Sequence, residues 1–169
     1  NLRLTTDRNT EQDWLKTNLA RITNMLQGQR DLARVGQLLL SELASIVGAQ
    51  HGVIYQSTVL PEQGQPGLML LAAYADDDIA GAKRWLRAGE GLVGQCAVDK
   101  KRLLVSDVPP DSVRVTTGLF TARPRCVVVL PVLFEGQIKA VIELATISAY
   151  TELHLAFLDQ LTSSIGINL

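Results

Sequence analysis

The sequence predicts an α+β fold, a central, mainly antiparallel sheet of five or six strands with long N-terminal and C-terminal helices packed on one face. Three observations lead there. Helical periodicity occupies both ends of the chain, and strand-like alternation occupies segments between them. Two of the strands are joined by only Glu135-Gly136, a connection that antiparallel neighbours allow and parallel ones do not.

The elements follow in order. Thr10 with Asp13 three residues on is a plausible helix start, Gly48 a plausible stop, and no proline lies between them. One helix over this span would be about 57 Å long, more than a small domain can cover, so part of it should project. Leu15, Leu19, Ile22 and Leu26 step by 4, 3 and 4 like a coiled-coil seam. Beyond Gly28, a candidate soft point, a new stripe of Leu32, Val35, Leu39, Leu43 and Ile46 takes over. Residues 1–31 are thus expected to form a projecting coiled-coil helix or linker and 32–169 a domain. The first stripe has nothing nearby in sequence to cover it, so a parallel copy of the same helix is the expected cover and Leu15, Leu19, Ile22 and Leu26 the expected dimer interface. The alternative is a helix folded back on its own domain.

After Gly48 the period changes to that of strands. Gly52 to Ser57 and Leu68 to Tyr74 should form a hairpin with a long tip over Pro61 to Gly67. Arg102 to Ser106 should be a short strand, and Cys126 to Phe134 with Gln137 to Thr146 a second hairpin. Pro131 cannot donate to a ladder and belongs at a sheet edge or a bulge. Thr151 to Leu169 closes the chain as a helix, with Leu153, Phe157, Leu161 and Ile165 four apart.

Composition narrows the function. The 169 residues fit one domain plus an extra element, and 47% apolar with 20% charged residues exclude disordered and disulfide-scaffold chains. Sixteen basic against 17 acidic residues give a net charge of -1, so no nucleic-acid partner is expected. Cys96 and Cys126 lie far apart in apolar settings, as reduced cytosolic thiols do. No apolar run approaches the roughly 18 residues of a membrane span, and no signal peptide opens the chain, so no direct membrane contact is expected. The first residue is Asn1, which suggests a piece of a longer protein, and the reduced thiols suggest a cytoplasmic location.

Patterns that resemble catalytic motifs do not survive their context. Gly89-Glu90-Gly91-Leu92-Val93-Gly94 matches G-x-G-x-x-G, but that dinucleotide fingerprint needs a parallel βαβ unit; here it fits a turn followed by a helix start. His51 and His154 share no metal-ligand spacing with either cysteine, so no metal is expected, and no activated nucleophile is apparent, so no catalytic residue is assigned. Glu143 differs. In the last strand Ile138, Ala140, Ile142 and Leu144 alternate on one face, leaving Glu143 opposite them beside Val141 and Ala145. A carboxylate there needs a partner: an arginine or backbone amide across the sheet, or a ligand in a pocket that Glu143 lines. The irregular stretch 76–125 could roof such a pocket with Arg84, Arg87, Asp107, Arg114, Thr116, Thr117, Arg123 and Arg125. Arg87, Asp107, Arg114, Thr117, Arg125 and Glu143 are the pocket candidates.

Taken together, Leu38-Leu39-Leu40-Ser41-Glu42-Leu43 before Gly48-Ala49, Ala88 to Gly94, Ser106-Asp107-Val108, and Val129-Leu130-Pro131-Val132 with Gly136 and Gln137-Ile138 resemble a GAF domain, a PAS-related fold. Trp14 to Leu19, Leu26 to Leu32 and Gly48 to Gly52 are similar to the linker and GAF start of bacterial hybrid sensor histidine kinases. The resemblance implies a sensory module that is not itself an enzyme, forms a homodimer through its terminal helices, and passes a signal to a kinase domain downstream in cis, an ATP-dependent phosphotransferase. Its ligand would be a small molecule between the sheet and the irregular middle. Phytochrome-type relatives attach a bilin at a Cys-His pair that this chain lacks, so no bilin is expected, and the cyclic-nucleotide signature of phosphodiesterase GAF domains is not evident. GAF-fold reductases of free methionine sulfoxide carry a reactive cysteine where Val93 stands. The alternatives are a ligandless dimerisation spacer and a thiol-redox function through Cys96 or Cys126.

Overall fold

The computed structural model describes residues 2–27, 31–60, 64–74, 84–106, 115–116, 121–122 and 125–168. Helices α1 (Leu2–Leu26) and α2 (Leu32–Val47) lead into strands β1 (His51–Val59), β2 (Pro66–Tyr74) and β3 (Trp85–Arg87). Helix α3 (Gly91–Asp99), β4 (Leu103–Val105), and the short β5 (Val115–Thr116) and β6 (Thr121–Ala122) follow. The chain ends with β7 (Cys126–Phe134), β8 (Gln137–Thr146) and α4 (Glu152–Asn168). The main sheet has six strands in the order β3-β2-β1-β8-β7-β4, and every adjacent pair is antiparallel. β5 and β6 pair with each other in a separate two-stranded sheet.

The two hairpins form where the alternation places them. The connection between β7 and β8 has both Glu135 (φ 53°) and Gly136 (φ 77°) at positive φ, the pattern of a type I′ turn, whose twist matches that of the strands it joins. Pro131 lies two residues beyond Val129, where β4 stops pairing with β7, and next to the register shift at Val132/Leu133. The first and last long strands, β1 and β8, are neighbours at the centre of the sheet, which brings α2 and α4 onto the same face. Gly48 caps α2 in the left-handed region, and its carbonyl accepts from the buried Thr146 hydroxyl at 3.0 Å and from the Gln50 side chain. The Gln50 side-chain oxygen in turn accepts from Ile147 N at 2.8 Å. The joint between α2 and β1 is thereby tied to the joint between β8 and α4.

The expected single helix over 10–48 is two helices. Asp31 starts the second: its backbone is extended (φ −88°, ψ 111°) and its side chain accepts from Ala33 N at 3.1 Å, satisfying one of the free donors at the helix start. The change of phase in the apolar stripe therefore marks a new helix rather than one rod with two partners. Gly28 lies outside the described residues.

Nor does the stripe of α1 stand free. Ile22 is fully buried in a core shared with Leu39, Leu40 and Leu43 of α2 and Phe157, Leu158 and Leu161 of α4, while Leu15, Leu19 and Leu26 are partly buried against that core. The Trp14 ring meets Phe157 edge-on at 5.5 Å and lies 6.1 Å from the His154 ring, and Arg21 bridges to Glu42 of α2 at 2.9 Å. The expectation of a projecting helix with an uncovered seam is corrected here. The chain's own domain covers Ile22 fully and Leu15, Leu19 and Leu26 in part, because a second helix starts at Asp31 and α1 packs back on the domain.

Candidate functional site

The main sheet presents two faces with different neighbours. On one, Ile54, Val128, Leu130, Ala140, Ile142 and Leu144 meet α1, α2 and α4. On the other, Val53, Tyr55, Val127, Val129, Val141 and Ala145 meet Val93 and Cys96 of α3, Leu86 of β3 and Leu68 of β2. Period-two alternation assigns Glu143 to the second face, together with His51, Val53 and Tyr55 of β1.

In register, Glu143 sits between Val53 on one side and Val129 on the other, both nearly inaccessible. Its own exposure is 9%, and among the described residues it has no hydrogen-bond or ion-pair partner. Burial without compensation disfavours the charged form and pushes its carboxyl from the ordinary 4.5 up to about 7. The acid is thus poised between its neutral and charged forms near neutral pH, so it can donate one hydrogen bond or present a full negative charge.

The other predicted site residues are distributed differently. Arg87 and Arg84 are exposed at the β3 edge; Arg87 N donates to a Glu90 carboxylate oxygen at 3.0 Å, and the Arg84 carbonyl accepts from Leu70 N at 2.7 Å. Arg125 is exposed just before β7, its backbone N donating to the Thr146 carbonyl. Asp107, Arg114, Thr117 and Arg123 lie outside the described residues. The structure therefore does not bring Arg87 or Arg125 to Glu143. It brings His51 and Tyr55, which share the sheet face and are both buried and engaged in interactions. By sequence His51 is weighed only as a metal ligand, and Tyr55 is not singled out. The signal was available in their alternation with Val53, once β1 is paired with β8.

The Gly-rich turn adopts the conformation expected of a turn feeding a helix. Gly89 and Gly91 have positive φ, and Gly94 sits so close to the Arg87 carbonyl oxygen that a Cβ would meet it at 2.8 Å. Backbone contact at Gly94 requires glycine; phosphate binding is not needed to explain it. Cys96, on α3, is fully buried and its thiol donates to the Lys101 carbonyl at 3.3 Å. Burial, reinforced by the Asp99 charge, pushes that thiol up to about 12. Among the described residues no group of three or more His, Cys, Asp or Glu is placed to hold a metal ion.

On the helix side, a groove of about 330 Å³ opens between the start of α2 and the end of α4. Leu32, Val35, Ile54, Leu71 and Ile165 are among its apolar walls, and Gln56, Gln137 and Lys139 supply polar ones. Gly36 lets α2 approach the sheet here; a Cβ would meet Ile54 at 3.1 Å.

The GAF domain family model matches residues 29–169, five-sixths of the chain. The chain belongs to the GAF domain family. Solved structures agree on the fold. This GAF domain is similar to that of a phosphoenolpyruvate-protein phosphotransferase from Coxiella burnetii, at 15% identity and a TM-score of 0.70, covering 90% of both chains. It is similar to the A. aeolicus nlh2 GAF domain in an inactive state, at 21% identity and a TM-score of 0.65, covering 92% of this chain and 93% of that one. It also resembles the free methionine-R-sulfoxide reductase of Neisseria meningitidis, at 16% identity and a TM-score of 0.70, covering 90% and 86%. Comparison with curated proteins finds no match. GAF domains act as sensory and regulatory modules, and the α+β architecture expected from the sequence is the one this family has.

Proposed function

We propose that this GAF domain is a relay module in which a small molecule, bound on the Glu143 face, shifts the packing of the helices on the opposite face. The observation that carries the reading is the buried, unpartnered Glu143 carboxyl on a strand whose alternate residues, Ile142 and Leu144, lie in the helix core. One strand is thus common to both sides of the molecule. A ligand on one side changes the other to the extent that it binds two helix packings with different affinity.

The parent in this proposal is a cytosolic or inner-membrane-anchored bacterial sensor histidine kinase, with its kinase core downstream in cis. Support comes from the likeness of residues 14–19 and 26–32 to the linkers of such kinases. No helix among the described residues is long and apolar enough to cross a membrane. The proposed homodimer uses α1 and α4, which lie against each other through Trp14 and Phe157 and where Leu15, Leu19 and Leu26 retain partial exposure. A thiol-redox role gains no support at Cys96, because a thiol held at about 12 supplies little thiolate near neutral pH.

A metabolite screen by thermal shift tests the proposal, since a compound that binds only the folded chain raises its melting temperature. The expected hits perturb Val53, Val129 and Val141 in NMR spectra and also move resonances of α1 or α4. Hits that perturb the sheet face and leave both helices unchanged would refute the relay. Sedimentation of wild type and Leu19→Lys tests the dimer: the wild type should run as two chains and the variant as one, and a monomeric wild type refutes this part.

A further inference from the structure

We propose that the ligand of the Glu143 face is a small organic cation, a primary ammonium or guanidinium on a compact apolar body, whose charged nitrogen pairs with the Glu143 carboxylate. This rests on the reading of that face as the ligand site. Val53 and Val129 flank it in register, and Val141 and Ala145 precede and follow it on the same face of β8. None of these side chains can donate a hydrogen bond. A buried carboxylate left among them is costly, and the cost is removed most fully by a partner of opposite charge.

The titratable groups that face it from neighbouring elements do not supply that charge. β1 contributes His51 and Tyr55, each already interacting, and α3 contributes Cys96, a protonated thiol bonded to the Lys101 carbonyl. Tyr150, before α4, packs against the helix core; its buried hydroxyl has no partner, and burial first, then the Cys126 and Glu143 charges, raise its proton affinity. From β7, β2 and β3 the neighbours are apolar, and Arg87 and Arg125 are exposed. Glu143 is therefore an acid flanked in register by apolar side chains, and among the described residues no side chain pairs with it. That arrangement repels an anion, gives a neutral molecule one hydrogen bond, and gives an organic cation both an ion pair and apolar contact.

Binding a cation holds the carboxyl ionised, so the proton it carries at lower pH goes to solvent. Affinity should rise with pH until the acid is fully ionised and level off above.

The test is an NMR titration of the whole chain with n-butylammonium, n-butylguanidinium, butyramide and butyrate at matched concentrations, with the 13C shift of the Glu143 carboxyl reporting its ionisation. The two cations should shift the amides of Val53, Val129 and Val141 and hold Glu143 ionised. Butyramide and butyrate should bind at least tenfold more weakly, and Glu143→Gln should lose the tenfold preference. Should Glu143→Gln fail to fold, Glu143→Asp keeps the charge and should keep the preference at reduced affinity. Preferential binding of butyramide or butyrate on this face overturns the cation proposal and leaves the site reading standing, as does an undiminished preference in Glu143→Gln. If no probe perturbs the face, or only the groove residues Val35, Ile54 and Leu71 respond, both readings fall.

Discussion

Replacing Glu143 with glutamine should make the protein more stable, and the gain should depend on pH. The folded chain holds the Glu143 proton more tightly than the unfolded chain does, because burial raises its carboxyl from 4.5 to about 7. An acid raised in this way costs nothing where it is protonated in both states. Its cost grows as pH climbs from 4.5 through 7 and is complete above. At 1.36 kcal/mol per pH unit, the full penalty is about 3 kcal/mol. Glutamine has nearly the same shape and no charge, so it escapes this penalty. Urea unfolding of both proteins at pH 5, 6, 7 and 8.5, extrapolated to water, measures the difference directly. The advantage of Glu143→Gln should be under about 1 kcal/mol at pH 5 and approach about 3 kcal/mol at pH 8.5. A difference that stays constant across this range would show that Glu143 ionises as freely in the folded protein as in the unfolded one, and the description of its surroundings would be wrong.

Three further outcomes follow from the packing. Ile22→Ala should destabilise the domain by about 2–5 kcal/mol in urea unfolding, as for a buried core residue, whereas a projecting helix would lose only a few tenths. Asp31→Ala should cost about 1 kcal/mol, the usual loss for a helix N-cap, and calorimetry should show it as a lower Tm. Cys96 should react with a thiol-specific reagent only as fast as the chain opens, so added urea should accelerate the reaction steeply; rapid reaction in buffer would contradict its burial and high proton affinity.

What the sequence revealed follows from the range of the interactions involved. The β7–β8 hairpin was legible to the residue because a two-residue turn and period-two alternation are both local. Glu143 stood out for the same reason, one acidic residue in an apolar run. The N-terminal half was misread because a phase change in apolar spacing is compatible with one helix facing two partners or with two helices, and the Asp31 cap that decides between them looks like an ordinary polar residue within a continuous pattern. The strand β3, three residues long, lies within a stretch whose sequence reads as irregular, and its sheet position depends on pairing with β2. His51 and Tyr55 join Glu143 only through the pairing of the first long strand with the last, a contact across about 90 residues of chain that no local pattern records.

The central claim is that the Glu143 face and the helix face share one energetic unit. Hydrogen exchange of α1 and α4, compared between wild type and Glu143→Gln at pH 8.5, tests it without any ligand, because the two proteins then differ in the charge on the far side of the sheet. Altered protection is expected in both helices as well as in β1, β7 and β8. A change confined to the three strands would contradict it.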